Sequence, residues 1–341
     1  FLSNSKNLIP SGHLILNEQL VIQESRVRNT LSNSSKSLKV DISNDLIKIH
    51  NEKASFSFNK SSGEMNSYIV NGKEFIDKAP YLNFWRAPID NDYGNQLPVR
   101  SKQWKVASNK RTLKSINHEV LGKNVKVSVQ YELANIKSLY TTAYLITPEG
   151  EVKISNDFRY NGRLVDAEMP RFGMNLQIPK NYSNVSWYGR GPHENYIDRK
   201  DSAFMGIYES SVGELGFDYS RPQENGYRTE TKWLELKDDN GVGLKILGDP
   251  YISFGAHYNT IEDFDDGLRE NKPGEKASPR SRIVKKQRKP VDIAKRDFIS
   301  LNIDLKQMGI GGDNSWGARP LLKYLIQPGN LKYSFTIKPI Y

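Results

Sequence analysis

The sequence predicts an all-β fold, a large antiparallel two-sheet β-sandwich, and three observations lead to this prediction. Several segments alternate apolar and polar residues with a period of two, as expected of strands that bury one face. Turn sequences such as Asn71-Gly72 and Asn240-Gly241 separate these segments at short intervals. No long segment carries the 3.6-residue apolar period of an amphipathic helix. Short strands with frequent turns are typical of a sandwich.

The predicted strands follow one another along the chain. The clearest is 125–133, where every odd position is apolar and every even position between them is polar. The same alternation predicts strands at 46–50, 54–58, 152–154 with Phe158 and Tyr160, and 333–337. The segments 96–104 and 206–213 are exceptions, and each is short enough for one helical turn or a loop.

Residues 1–37 are predicted to be separate from a main domain at 38–341. Residues 14–16 and 20–22 could form two strands, and the polar segment 29–37 has the composition of a linker. So few residues cannot form a sandwich of about 100 residues, so we expect the last strands of a preceding domain. The chain starts with Phe1 and its first methionine is Met65, so we expect a processed protein or a piece of a longer one. Residues 1–10 lack the features of a signal peptide.

Composition excludes several functional classes. The 341 residues contain no cysteine, which excludes disulfides, thiol nucleophiles, iron–sulfur clusters and thiolate zinc sites. The histidines show no metal-ligand spacing, so we expect no metal site. Mean hydropathy is −0.64 and no 18-residue apolar run occurs, so no membrane partner is expected.

The net charge of +10 is concentrated in one segment. Residues 269–296 hold eleven Lys or Arg and three Asp or Glu, a net of +8. This segment could bind a polyanion or be a solvated surface loop. We favour the loop because no aromatic residues lie among the basic ones, as a single-strand-binding surface would require. No nucleic-acid partner is therefore expected.

Two irregular segments hold candidate catalytic or cation-binding residues. In 84–94, Asp90, Asn91 and Asp92 could bind a hard cation through their oxygens. They could instead form a structural turn bridged by Arg86, which we favour. In 187–199, His193 and Glu194 could act as an acid–base pair. Adjacent residues of an extended segment point in opposite directions, so we favour a loop held by arginine–carboxylate contacts.

Two further candidates lie towards the C-terminus. His257 sits in an apolar, aromatic setting that is more typical of a satisfied core histidine than of a ligand. The segment 309–320 has three glycines in four residues, followed by Asp313, Asn314 and Trp316. An exposed tryptophan there could present a flat apolar face to a sugar ring, or it could pack on its own sandwich.

These segments together resemble the C-terminal domain, or small chain, of bacterial β-galactosidases of glycoside hydrolase family 2. The matching segments are FWRAPIDNDYG (84–94), MPRFGMNLQIP (169–179), WYGRGPHENYIDR (187–199), RPQENGYRTET (221–231) and MGIGGDNSWGARP (308–320). The resemblance implies a galactose-mutarotase-like sandwich. It also implies that residues 1–37 end a preceding immunoglobulin-like domain.

The resemblance implies a role within a larger enzyme that hydrolyses terminal β-D-galactosides such as lactose. The two catalytic carboxylates of such an enzyme come from a barrel domain of the same parent chain, so this chain alone is expected to be inactive. Trp316 occupies the position of a family tryptophan that reaches the galactosyl pocket. No cofactor is implied here, and any Mg²⁺ or Na⁺ would be held by other domains.

Other interpretations stay open at this stage. The chain could be a carbohydrate-binding module that acts alone, or an aldose epimerase in which His257 and Glu194 would be tested first. A homo-oligomer is compatible with the family. Cytoplasm and periplasm are both open as bacterial compartments.

Overall fold

The chain folds into seventeen strands, all paired antiparallel, and five short helices within the residues that the computed structural model describes. These residues are 3–15, 17–22, 31, 35–162, 167–265, 289–314 and 317–341. The predicted all-β fold of antiparallel sheets is therefore confirmed.

A five-stranded sheet opens the fold, with its strands in sequence order. Its strands are β1 (Lys39–Ile42), β2 (Leu46–His50), β3 (Ala54–Asn59), β4 (Met65–Val70) and β5 (Lys73–Glu74). Asn71 and Gly72 both have positive φ, +50° and +75°, and join β4 to β5. Both central residues of a tight hairpin turn need this conformation, which explains the Asn-Gly sequence.

The second sheet has twelve strands. They are β6 (Lys78–Asn83), β7 (Thr112–Leu121), β8 (Asn124–Leu133), β9 (Ser138–Ile146), β10 (Val152–Arg159), β11 (Arg171–Pro179), β12 (Asn184–Gly191), β13 (Phe204–Ser211), β14 (Arg228–Lys237), β15 (Gly243–His257), β16 (Phe298–Gln307) and β17 (Leu331–Ile340). The helices are α1 (Asp90–Gly94), α2 (Leu97–Arg100), α3 (Lys102–Asn109), α4 (Val212–Leu215) and α5 (Ile261–Phe264). Three single 3₁₀ turns lie at Ala134–Ile136, Pro290–Asp292 and Leu322–Tyr324.

The second sheet branches at its longest strand, β15. The first part of β15 pairs with β17, in the path β13-β12-β14-β15-β17-β10-β9-β8-β7. Its last five residues, from Ser253 to His257, pair instead with β16, which continues to β11 and β6. One strand therefore belongs to two branches, and these two branches can pack against each other.

Aromatic side chains fill the space between the layers. Phe172 of β11 stacks on Phe84 with ring centroids 5.7 Å apart and contacts Phe158 of β10 at 5.8 Å. Phe58 of the first sheet meets Tyr144 of β9 edge to face at 5.2 Å. The buried apolar residues form one continuous cluster that includes both sheets. Burial of this cluster is the main favourable contribution to folding.

Strand prediction succeeds where one face is buried. In β8 the odd residues from 125 to 133 are buried and the residues between them are half-buried, as the alternation predicts. The segment 96–104 is helical, in α2 and the start of α3. The loop or helix prediction for 206–213 is wrong for residues 206–211, which belong to β13, while residues 212 and 213 begin α4. Ile207 on this edge strand is 69% exposed. Because β13 has no buried face, its sequence lacks the apolar–polar alternation that predicts a strand.

The N-terminal residues form no strand where they are described, at 3–15 and 17–22. The only strand-like backbone pairing among these described residues is an isolated antiparallel bridge between Lys6 and Ile9. The separate domain at 1–37 stays a prediction. Most of the basic segment 269–296 lies outside the described residues, which resume at Lys289. No helix in the described ranges is long and apolar enough to span a bilayer.

Candidate functional site

Arg86 and Asp92 form a buried ion pair beneath the glycine-rich loop, which we define as residues 308–320. Their side chains are 0% and 1% exposed, and Arg86 Nη2 lies 2.9 Å from Asp92 Oδ2. Arg86 Nε donates to the same oxygen at 3.1 Å. Arg86 also donates to the backbone oxygens of Met308 at 2.9 Å and Gly309 at 3.1 Å. This pair therefore joins the 84–94 segment to the start of the loop.

A second pair of charged residues holds the middle of the glycine-rich loop. The backbone N–H groups of Ile310 and Gly311 donate to the Asp198 carboxylate at 3.1 and 2.8 Å. Arg199 Nη2 donates to the Gly311 oxygen at 2.5 Å. Asp198 and Arg199 lie in a tight turn closed by two backbone bonds between Tyr196 and Arg199. Bonds to charged groups are stronger than neutral ones, so the loop backbone is firmly placed.

Glycine is needed in this loop because other backbone and side chains approach so closely. A Cβ on Gly309 would lie 2.5 Å from Asp198 Oδ2. Gly317 has φ of +91°, and a Cβ there would lie 2.4 Å from the carbonyl carbon of Gly94. The glycines therefore let the loop pack directly on the Asp198 turn and on α1.

The exposed part of the loop carries Asp313 and Asn314. Asn314 Oδ1 accepts a hydrogen bond from the Ala318 backbone at 3.2 Å, across the loop. Trp316 and its neighbour Ser315 lie outside the described residues.

Asp90 is exposed on α1, and its backbone N–H donates to Gln223 Oε1 at 3.1 Å. The structural turn bridged by Arg86, which the sequence favoured for 84–94, is observed in the ion pair between Arg86 and Asp92.

His193 and Glu194 have different partners. His193 is exposed and its Nε2 lies 3.0 Å from Ser202 Oγ. Glu194 accepts a hydrogen bond from the Tyr219 hydroxyl and another from the Gly226 backbone at 2.6 Å. Neither contact joins the two side chains, so this structure offers no acid–base pair between them.

His257 lies at the end of β15, opposite Ser300 of β16. Its Nε2 donates to the Asn225 oxygen at 3.0 Å, and its ring meets Phe264 edge to face at 5.2 Å. Burial lowers the pKa of His257 to about 4, despite the hydrogen bond to Asn225. The imidazole is therefore neutral at physiological pH, with Nδ1 left as an acceptor.

A buried charged cluster, not anticipated from the sequence, lies on the polar face of β11 and β16. Arg171 Nη2 lies 2.9 Å from Glu224 Oε1, and Arg171 Nε lies 3.4 Å from Asp304 Oδ2. The Tyr227 hydroxyl donates to Asp304 Oδ2 at 3.0 Å, and Gln307 Oε1 accepts from Arg171 Nε at 2.9 Å. Because one cation faces two carboxylates away from water, protonation of one carboxyl is favoured.

The pKa values of the two carboxyl groups reflect this arrangement. Burial raises the pKa of Asp304 to about 7, against the opposing effect of the Arg171 guanidinium. Burial likewise raises the pKa of Glu224. Asp304 is 0% exposed, so it cannot reach a substrate outside the fold. We therefore interpret the cluster as a structural feature of the interior and not as a catalytic pair.

The site can position polar groups towards a ligand but holds no obvious reactive centre. Within the described ranges, no three His, Asp or Glu side chains converge as metal ligands. The motifs FWRAPIDNDYG and WYGRGPHENYIDR meet at the glycine-rich loop. The sequence predicted arginine–carboxylate contacts for the 187–199 segment, whereas Asp198 and Arg199 of that segment bind the backbone of the glycine-rich loop. Asp304 lies outside the five motifs, and its only signal is an acidic residue in a strand that is otherwise buried on both faces.

Known proteins resemble this chain over most of its length. A family model described as "Beta galactosidase small chain" matches residues 50–337. The β-galactosidase of Priestia megaterium is 30% identical over 336 residues, covering 97% of this chain and 30% of that protein. The β-galactosidase of Streptococcus thermophilus is 27% identical over 334 residues, again covering 97% of this chain and 30% of that protein.

The chain thus spans about 30% of the length of these two relatives. Among solved structures, galactose 1-epimerase from Lactobacillus acidophilus NCFM matches with a TM-score of 0.45 at 9% identity, covering 89% of this chain and 98% of that one. The family match includes all five of these segments in full. The chain belongs to the β-galactosidase small-chain family.

Proposed function

We propose that this chain acts as the C-terminal part of a retaining β-galactosidase of glycoside hydrolase family 2. The parent enzyme hydrolyses terminal non-reducing β-D-galactosides such as lactose, and the glycine-rich loop completes its sugar pocket. The observation that carries this proposal is the attachment of the loop. Arg86, Asp198 and Arg199, from two distant segments, all bind its backbone.

This attachment supports a role in ligand positioning. The buried Arg86, the half-buried Asp198 and the exposed Arg199 bind the backbone from residue 308 to residue 311. Asp313 and Asn314 are nevertheless exposed. A surface loop without function would not need such support, because loops tolerate mobility. We assign Trp316, next in the same loop, to apolar stacking on the galactosyl ring or its aglycone.

The catalytic carboxylates belong to a barrel domain elsewhere in the parent chain. A retaining glycosidase needs two carboxyl groups about 5 Å apart on either side of the scissile bond. Glu224 and Asp304 share Arg171 in the interior instead, where a sugar has no access. Any Mg²⁺ or Na⁺ of the parent is likewise held by residues outside this chain.

The proposal is tested by replacing Trp316 with Leu in the parent enzyme. The KM for lactose or a nitrophenyl galactoside should rise by about tenfold, since losing a stacked ring costs about 1.4 kcal/mol of binding. Trp233→Leu is the matched control, because the Trp233 ring contacts Tyr188 and Lys245 and not the glycine-rich loop. Unchanged kinetics for the Trp316 variant would remove this role.

A further inference from the structure

A polar cavity lies where β15 ends, bounded by the loop 216–225. Its volume is about 440 Å³, within the range of about 300–1,000 Å³ typical of small-molecule sites. The lining combines aromatic rings with side chains that can donate or accept hydrogen bonds. It includes Phe217, Tyr219, Arg221, Asn225, His257 and Tyr258.

Hydrogen bonds within the protein fix the wall of this cavity. Asn225 Oδ1 accepts from the Phe217 backbone at 3.1 Å, and Asn225 Nδ2 donates to the Gln223 oxygen at 2.9 Å. Glu194 binds both the Tyr219 hydroxyl and the Gly226 backbone. A loop that is cross-linked in this way loses little conformational freedom on binding, which favours affinity.

His257 offers the cavity a fixed acceptor. Because its Nε2 donates to the Asn225 oxygen, Nδ1 of the neutral ring is the acceptor. No donor among the described residues bonds to Nδ1. Gly216, which lines the cavity, leaves this edge uncovered, since a Cβ there would lie 3.5 Å from Nδ1. A ligand hydroxyl is a suitable donor for this position.

Phe217 offers an apolar face on the rim. Its side chain is 62% exposed, although large aromatic residues usually gain stability from burial. Its ring is held edge to face against Tyr219, with centroids 4.8 Å apart. An exposed but fixed ring is suited to stack on the C–H face of a sugar ring.

The lining carries both signs of charge, which is compatible with a neutral ligand. Its charged side chains among the described residues are one carboxylate, Asp218, and two cations, Arg221 and Lys295. Both cations lie over aromatic rings, Arg221 over Tyr93 at 5.0 Å and Lys295 over Tyr258 at 5.8 Å. We propose that this cavity is a binding site for a neutral saccharide, with His257 Nδ1 accepting from a hydroxyl and Phe217 stacking on the ring.

The test is calorimetric titration of the 341-residue chain with lactose. We expect one-site binding in the millimolar range that Phe217→Ala weakens by about tenfold. Phe217→Trp keeps an aromatic face and should retain the affinity. Ile207→Ala is the matched control, because Ile207 is also exposed and apolar but lies on β13 outside the lining. Circular dichroism verifies that each variant is folded.

Other results overturn the proposal. They are the absence of lactose binding, equal affinity for Phe217→Ala and the unchanged chain, and binding that Trp316→Ala abolishes while Phe217→Ala does not. Inorganic phosphate that displaces lactose from the chain would identify an anion site instead. Each of these outcomes leaves the proposed function standing, because that function is measured by galactoside hydrolysis in the parent enzyme.

Discussion

At the scale of single residues, the Arg86–Asp92 pair should contribute more to stability than any exposed pair. Asp92→Ala leaves the guanidinium of Arg86 buried without its carboxylate, and breaking such a pair costs about 3–5 kcal/mol. Lys114→Ala removes one partner of an exposed pair and should change the unfolding free energy by about 0.5 kcal/mol or less. Urea unfolding of both variants measures the difference. Similar values for the two would contradict the structural role of Asp92.

Asp304 predicts a specific pH dependence of stability. Its pKa is raised from 3.8 to about 7 in the folded chain, so the folded state binds the extra proton between these values. Proton binding by Asp304 stabilises the folded state at low pH, and this stabilisation is lost as pH rises through about 7. Asp304→Asn resembles the protonated acid, so it should stabilise the chain by about 2–3 kcal/mol more at about pH 8 than at about pH 5.

Chemical unfolding at the two pH values checks this expectation. Asp249→Asn is the matched control, because Lys153 lowers the pKa of Asp249 below its ordinary 3.8. That carboxyl is ionised at both pH values, so its replacement should have the same effect at each. If Asp304→Asn also had the same effect at each, Asp304 would not titrate in this range.

Sequence reasoning at this scale succeeded for residues with local partners. Arg86 and Asp92 are six positions apart, so a bridged turn could be inferred from one segment. Asp198 and the glycine-rich loop are more than a hundred positions apart, and no local pattern connects them. The Arg171 cluster likewise depends on which strands become neighbours, and that follows only from the folded sheet.

At the scale of elements, the turn that holds Asp198 should control the glycine-rich loop. Asp198→Ala removes the acceptor of two backbone N–H groups. Since a bond to a charged group is worth about 1.5–3 kcal/mol, the KM of the parent enzyme for a galactoside should rise by about tenfold or more. Asp198→Asn keeps one acceptor oxygen and should give a smaller increase.

Asp201→Ala is the matched control for this element. Asp201 is an exposed carboxylate three positions further along the same segment. Its replacement should leave KM unchanged if the effect of Asp198 comes from the loop and not from local charge. Equal increases in KM for both variants would assign the effect to electrostatics.

Elements also explain where strand prediction fails. Polar–apolar alternation marks a strand only when its two faces differ, as in β8. In β11 and β16 nearly every residue is buried, because one face meets the apolar core and the other carries the buried charged cluster around Arg171. Such strands show little alternation and were not predicted, although they carry Arg171 and Asp304 of the buried cluster.

At the scale of the whole molecule, the net charge of +10 is distributed unevenly along the sequence. The segment 269–296 accounts for +8 of it, and the remaining chain is close to neutral. Much of the polar chemistry of the fold is instead internal, in the Arg86–Asp92 pair and the Arg171 cluster. The sign of the total charge is therefore a poor guide to the ligands of this protein.

At the scale of the whole molecule, we also predict that the 341-residue chain alone does not hydrolyse galactosides. The chain spans about 30% of the length of the two β-galactosidase relatives described above, and the interior carboxylates Glu224 and Asp304 both pair with Arg171. Release of nitrophenol from a nitrophenyl galactoside should therefore equal the buffer blank, while the parent enzyme turns over. Hydrolysis by the chain that Glu224→Gln abolished would place a catalytic carboxyl in the interior cluster and overturn the assignment of catalysis to the rest of the parent.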